Sequence, residues 1–208
     1  KLTYQSFKAR QANSFNFHPY YLKEFRNRWF LIGKKDSKKK APIMNLALDR
    51  IVTIEEGEIV FYEDDYFNAE TYFKDVIGVS VSPTLEPIEV VLFINNIHAP
   101  YVLTKPLHNS QRLISKDYYG VTIALNVQYN FELEKEILSY GDGVKVIAPQ
   151  NLRRSIYSRL NGAVDGYKTE ISESGIKTMQ KRLENKGTAI LNYVYTQRSV
   201  NKMVRIVD

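Results

Sequence analysis

Four cationic side chains in the first 50 residues, Lys23, Arg26, Arg28 and Arg50, carry the chemistry most open to a function. A guanidinium is planar, stays charged, and presents paired donors that match a phosphate or a carboxylate. Arg28 and Arg50 are the strongest candidates. Each either meets an anionic ligand or pairs at the surface with an acid, Asp49 or the acidic stretch over 55–65. His18 titrates near neutral pH or stacks on a base, with packing ahead of Pro19 as the alternative. Ser6 offers a hydroxyl to an anion or simply to solvent. Tyr20 and Tyr21 fall on opposite strand faces, so one is expected to be buried and the other to face a ligand. Trp29, the only tryptophan, has apolar neighbours and reads as core rather than as a base-stacking platform.

Other chemistries are poorly supplied. The chain has no cysteine, which removes disulfides, thiolate metal sites and cysteine nucleophiles. Its three histidines (His18, His98, His108) are too far apart to predict a metal cluster, and His98 and His108 read as packed or solvated. Gly141-Asp142-Gly143 leaves a helix and enters a strand, which is the context of a turn and not of a dinucleotide loop. Glu63-Asp64-Asp65 reads as a solvated acidic face, with a hard-cation site as the alternative. Arg153, Arg154 and Arg159 are solvated or meet an acidic surface or nucleic acid. No convergent nucleophile, base and metal set is visible, so the chain is read as non-enzymatic, without cofactor or metal.

The 208 residues, 44% hydrophobic and 25% charged, suit one large domain or two small ones. No stretch approaches the ~18 apolar residues of a membrane span. The net charge of +6 is unevenly spread: residues 1–40 carry eleven basic and two acidic side chains, residues 41–80 two basic and nine acidic. The basic segment favours anionic partners. Lys34, Lys35, Lys38, Lys39 and Lys40 sit between apolar runs, where a solvated hairpin loop and a phosphate contact are both open readings.

The elements that must position these groups follow from periodicity. Residues 1–62 read as short strands: Lys1 to Arg10, an alternating run over 15–24, a tight break at Arg26-Asn27, then 28–33, 43–54 with a slip between Leu48 and Ile51, and 58–62. Such strands suggest a small closed or nearly closed barrel. Residues 67–73 carry aromatics at helical spacing, and Pro83 with Pro87 marks a boundary. Over 86–167 the order is strand 88–94, helix 97–107, strands 111–116 and 120–127, helix 131–138, strand 144–147 and helix 151–160, a ferredoxin-like pattern with an added helix. On the 131–138 helix, Phe131, Leu133, Ile137 and Leu138 are expected inward and Glu132, Glu134 and Glu136 outward.

Four ordered motifs, Tyr4-Gln5-Ser6, His18-Pro19-Tyr20-Tyr21-Leu22-Lys23, the run from Asn27 to Gly33, and Leu48-Asp49-Arg50-Ile51, resemble the WYL domain of bacterial transcriptional regulators. The family's Trp-Tyr-Leu triplet is here Trp29-Phe30-Leu31. Val91-Leu92-Phe93, the run from Lys105 to Gln111, Ser139-Tyr140-Gly141-Asp142 and Val146-Ile147-Ala148-Pro149 look like the extension that trails such domains, so the resemblance covers about residues 1–167. It implies an Sm-like, SH3-type barrel, here 1–82, followed by an α+β extension, here 86–167. It also implies an anion-sensing barrel, nucleic acid being the ligand in some members, and an extension that supports dimerisation. Family members usually carry a promoter-binding winged helix-turn-helix ahead of the barrel. None lies within these residues, so promoter binding would belong to sequence outside them.

Carried over, the family's polar pocket would use Ser6, Arg28 and Arg50. Two departures stand out: Phe30 replaces the triplet's tyrosine, and no arginine lies just before Pro19. Residues 168–208 are expected to form a helix and a β-hairpin. Ala189–Tyr193 and Val204–Asp208 resemble the entry to a WYL domain, which leaves a second module, strands given to a neighbouring barrel, or coincidence open. The reading as a whole is a cytoplasmic, homo-oligomeric sensor without membrane contact, a piece of a longer regulator. It would bind a nucleotide or single-stranded nucleic acid through Ser6, His18, Tyr20, Lys23, Arg26, Arg28 and Arg50. The alternative is a structural or oligomerisation module with a non-functional pocket.

Overall fold

Alternation of apolar and polar residues builds six short strands in the first 54 residues of the computed structural model, which describes residues 1–37, 41–62 and 67–168. They are β1 (Leu2–Tyr4), β2 (Asn13–Phe15), β3 (Phe17–Phe25), β4 (Arg28–Lys35), β5 (Ile43–Ala47) and β6 (Ile51–Ile54). These make two three-stranded antiparallel sheets, ordered β2-β1-β6 and β3-β4-β5. Leu2, Phe17 and Leu46, with Leu31 and Ile51 against them, fill one interior shared by strands of both sheets. The other face of β3-β4-β5 packs Ile32, Phe30 and Phe25 against Phe73 of a short helix α1 (Ala69–Phe73) and against Val76 and Val79. Gly33 is required where strands β3 and β4 draw together, because a Cβ there would stand 2.0 Å from the His18 carbonyl oxygen.

Three local expectations are corrected. The run from Lys1 to Arg10 leaves the sheet after Tyr4: Gln5 N–H donates to the Arg50 carbonyl (3.1 Å) and Ala9 N–H to that of Ser6 (2.9 Å), which turns the chain. The slip between Leu48 and Ile51 is a 3-10 turn over Leu48–Arg50 and not a bulge. Residues 58–62 form no strand. Their apolar run lacks a neighbouring strand to bond, Val60 is 90% exposed, and the Tyr62 N–H is taken by the His18 ring.

The second half matches the expected β-α-β-β-α-β order. It comprises β7 (Ile88–Asn95), α2 (Ala99–Thr104), β8 (Arg112–Lys116), β9 (Gly120–Val127), α3 (Phe131–Leu138), β10 (Val144–Ala148) and α4 (Gln150–Lys168). The sheet order β10-β7-β9-β8 is antiparallel throughout. Inward residues of alternate positions, Val90, Leu92, Ile94, Val121, Ile123 and Leu125, meet Val102 of α2, Leu133 and Ile137 of α3, and Leu152 and Ile156 of α4. The fold is therefore a β domain followed by an α+β domain. Strand β8 lies at the sheet edge and is solvent-exposed along its length.

Helix α3 departs from its expected facing. Glu134 is buried, accepting hydrogen bonds from the Tyr129 hydroxyl and from Ser155 Oγ (2.7 Å), while Phe131 at the first turn is exposed. A buried carboxylate is tolerated here because hydroxyl donors replace water. Residues 1–158 gather into one compact unit; beyond it the described residues, 159–168, are helical and exposed. The expected tail elements at Ala189–Tyr193 and Val204–Asp208, the Glu63-Asp64-Asp65 run, and Lys38, Lys39 and Lys40 lie outside the described residues.

The segment joining the halves is fastened rather than loose. Gln128 donates to the carbonyls of Ser82 (3.1 Å) and Leu85 (2.8 Å) and accepts from Ser82 N–H (3.0 Å). Asn130 donates to the carbonyls of Ile77 (3.0 Å) and Ser80 (3.1 Å), and Ser80 Oγ donates to Glu132 (2.7 Å). Gly78, at φ +92°, lies so close to Glu132 that a Cβ would stand 2.6 Å from its Cγ.

Candidate site around the 3-10 turn

Pairing of β4 with β5 in the register Phe30↔Ala47 carries the start of β4 alongside the 3-10 turn that follows β5. Arg28 thereby meets the turn: its Nη2 lies 3.2 Å from Asp49 Oδ2, with both side chains nearly half exposed. Arg50, the next residue of the same turn, lays its guanidinium 4.2 Å from the centre of the Phe7 ring. Its Nε is buried and has no hydrogen-bond partner among the described residues. The Gln5 N–H to Arg50 carbonyl bond places Ser6 beside this turn as well. Two guanidinium groups from separate elements thus share one end of the β domain, one of them engaged by Asp49 and the other stacked on a ring.

Trp29 corrects the sequence reading. It shares the face of Leu31, but it stands at the end of β4, beyond the packed interior, and is 52% exposed. Phe30 faces the opposite way, half-buried toward α1, and Leu31 packs on the shared interior.

The remaining expected ligand residues are drawn elsewhere. His18 is 7% exposed. Its Nδ1 accepts from Tyr62 N–H at 3.1 Å, which leaves the Nε2 proton toward Asp36 Oδ1 at 3.4 Å, and its ring stands against Phe61 and Tyr62. Packing accounts for it. Tyr20 joins the same aromatic group, 5.5 Å from the Phe67 ring centre. Lys23 extends its ammonium over Phe73, 4.6 Å from the ring centre, on the α1 side of the sheet. Arg26 pairs with Glu136 of α3. Of the seven expected residues, Arg28 and Arg50 lie at the 3-10 turn and Ser6 follows the Gln5 that bonds it. Phe7 joins them, and it is not legible from periodicity because it lies just past the alternating run of β1.

His98 stacks at right angles on Tyr140, 5.5 Å between ring centres, and covers Gly143. His108 Nδ1 bonds Ser110 Oγ (2.8 Å) and accepts from Ser110 N–H (3.1 Å). Burial pushes the His108 imidazole below its usual 6.5, opposed by a hydrogen bond to the Lys74 backbone and by the Asp75 carboxylate. A histidine lowered on folding binds its proton more readily in the unfolded chain, so stability rises with pH through the window between the lowered value and 6.5 and is lost on acidification. Thermal melts on either side of that value should show a falling melting temperature with acid, and a smaller fall in His108→Asn. Equal falls in both proteins would remove His108 as the cause. Among the described residues no group of His, Cys, Asp and Glu is placed to hold a metal ion, and no helix is long and apolar enough to cross a membrane.

The family description "WYL domain" matches residues 1–56, and "WCX domain" matches residues 86–164. Among solved structures the chain is similar to the proteasome accessory factor B/C (PafBC) of Arthrobacter aurescens, at 20% identity and a TM-score of 0.36, covering 82% of this chain and 25% of that one. It is also similar to a CRISPR Cas-related protein, at 10% identity and a TM-score of 0.49, covering 82% of this chain and 48% of that one. The chain thus spans a quarter of the first and about half of the second. A search of curated proteins gave no match.

Proposed function

We propose, from a chain that belongs to the WYL-domain transcriptional regulators and carries a WYL domain followed by a WCX domain, that the 3-10 turn of its β domain receives an anionic ligand, a nucleotide or short single-stranded nucleic acid. WYL regulators are ligand-sensing regulatory modules, and the ligand is what this reading adds. It takes residues 1–82 as the sensor and 86–167 as the extension that carries the response. The observation that carries it is Arg50: a guanidinium stacked on Phe7 with a buried Nε unmatched among the described residues, beside Arg28. A buried donor without a partner costs about 1–3 kcal/mol, and a phosphate oxygen would supply the partner. Arg28 would turn from Asp49 to the ligand, and the exposed Trp29 ring offers a face on which a base can stack. His18, Tyr20, Lys23 and Arg26 take no part in this version of the site.

Anisotropy of a labelled oligothymidylate tests it across a salt series. Binding should weaken with salt. Arg28→Ala combined with Arg50→Ala should weaken binding on the order of tenfold or more. The same double change should flatten the salt slope by about 1.4, from two phosphate contacts at ~0.7 each on a single strand. Undiminished binding by the double variant would move the site elsewhere. The Arg28–Asp49 pair and Phe30 favour a second reading, a structural or oligomerisation module, and no binding by the unaltered protein would establish it over the first.

A further inference from the structure

The hairpin that carries Arg28 is closed by Arg26 and Asn27, both at positive φ (51° and 62°), with Phe25 opposite Arg28. Two consecutive left-handed residues in a two-residue loop define a type I′ turn, where asparagine, aspartate and glycine are favoured and arginine is not. Asn27 suits the turn, and its N–H donates to the Glu24 carboxylate. Arg26 does not suit it, yet its side chain leaves the β domain and pairs with Glu136 on α3, 110 residues away. A residue that contradicts its local backbone marks a place where another demand has been met.

Helix α3 is where such a contact would have the widest reach. Glu132 holds Ser80 of the connecting segment, Glu134 holds Ser155 of α4, and Glu136 holds the hairpin tip. One two-turn helix therefore touches the sensor hairpin, the connector and the last helix through three alternate glutamates.

We propose that the Arg26–Glu136 pair is the link through which occupancy of the Arg28–Arg50 site is transmitted to α3, with Arg26 as a positioning residue. The proposal rests on the ligand reading above. An anion competes with Asp49 for Arg28. Arg28 is two residues from Arg26 on the same hairpin, so a change at the closing end of β4 is passed to the tip. Linkage makes the effect reciprocal: if the ligand alters the state of the pair, breaking the pair alters ligand affinity by the same factor.

Tyr140 reports on whether the pair persists in solution. Burial holds its phenol above the usual 10.0, the Glu136 carboxylate raises it further, and the Arg26 guanidinium lowers it. Arg26→Asn should therefore raise the Tyr140 titration and Glu136→Gln should lower it, as read by carbon-13 tyrosine NMR. Asparagine fits the turn better than arginine, so the first variant keeps the hairpin folded, and a thermal melt checks this.

The deciding measurement is hydrogen exchange of amides 131–138 in the full 208-residue chain, with and without oligothymidylate, beside anisotropy on the same samples. The oligonucleotide should change exchange over 131–138 in the unaltered protein, and that change should vanish in both variants. Affinity should move about fivefold, in the same direction for both. Binding that leaves 131–138 unchanged, a change that survives in the variants, or a Tyr140 titration that neither variant moves overturns the link while sparing the ligand reading. Absence of any binding overturns the ligand reading and the link with it.

Discussion

Ile32→Ala should destabilise the protein by about 2–5 kcal/mol, while Trp29→Ala, three positions earlier on the same strand, should cost far less. The ordering reverses what side-chain size alone suggests. Ile32 is fully buried between the β3-β4-β5 sheet and the α1 segment, where Phe73, Val76 and Val79 surround it. Removing its outer carbons leaves a cavity that a sheet pinned on both sides cannot collapse. Trp29 has half its surface in water already, so its loss returns little apolar area to solvent. Ligand affinity should show the opposite order, because an exposed indole stacked on a base contributes ~1–3 kcal/mol and a buried isoleucine touches no ligand. Urea unfolding with an unchanged slope, paired with oligothymidylate anisotropy, reads both. Equal destabilisation by the two variants would return Trp29 to the core.

The second large effect is expected at Asn130, whose side chain does two jobs at once. Its Oδ1 accepts from Leu133 N–H (2.8 Å) and so caps α3, while its Nδ2 holds the carbonyls of Ile77 and Ser80. Loss of an asparagine cap costs about 0.5–2 kcal/mol, and two carbonyls deprived of their donor add to it, for a total of about 2–4 kcal/mol in Asn130→Ala. Asn130→Asp separates the contributions, since a carboxylate still caps the helix but has no proton for Ile77 or Ser80. If Asp restores full stability, the connector bonds are incidental; if it restores only part, the connector is held by this amide.

These two sites also show what the amino-acid order reveals and what it hides. Strand β9 and helix α3 are legible to the residue, because eight positions with a clear period leave little freedom. The Arg26-Asn27 break was legible as a turn, and Arg28's alternative partner Asp49 could be named. Trp29 lies outside the core, and periodicity does not show this because alternation reports which face a residue shares, not whether the core extends to the end of the strand. Residues 58–62 have the composition of a strand, but a strand also needs a neighbour to bond, and composition does not supply one. Glu134 looked solvated because a helix pattern alone does not show Tyr129 and Ser155 arriving from elsewhere with hydroxyls. Arg26 and Glu136 were each visible as charges; their meeting depends on how two halves of the chain close together.

The sheet of the second half ends in β8, Arg112-Leu113-Ile114-Ser115-Lys116. If a second copy added its own β8 antiparallel about Ile114, Arg112 would face Lys116 at both ends of the new ladder, and like charges set directly opposite disfavour pairing. Arg112 is paired with Glu89, so Lys116 supplies the larger share of that repulsion along a rim of Leu113, Ile114 and Ser115. A strand ending in carboxylates would meet no such repulsion, so what the rim repels is copies of itself and not strands in general.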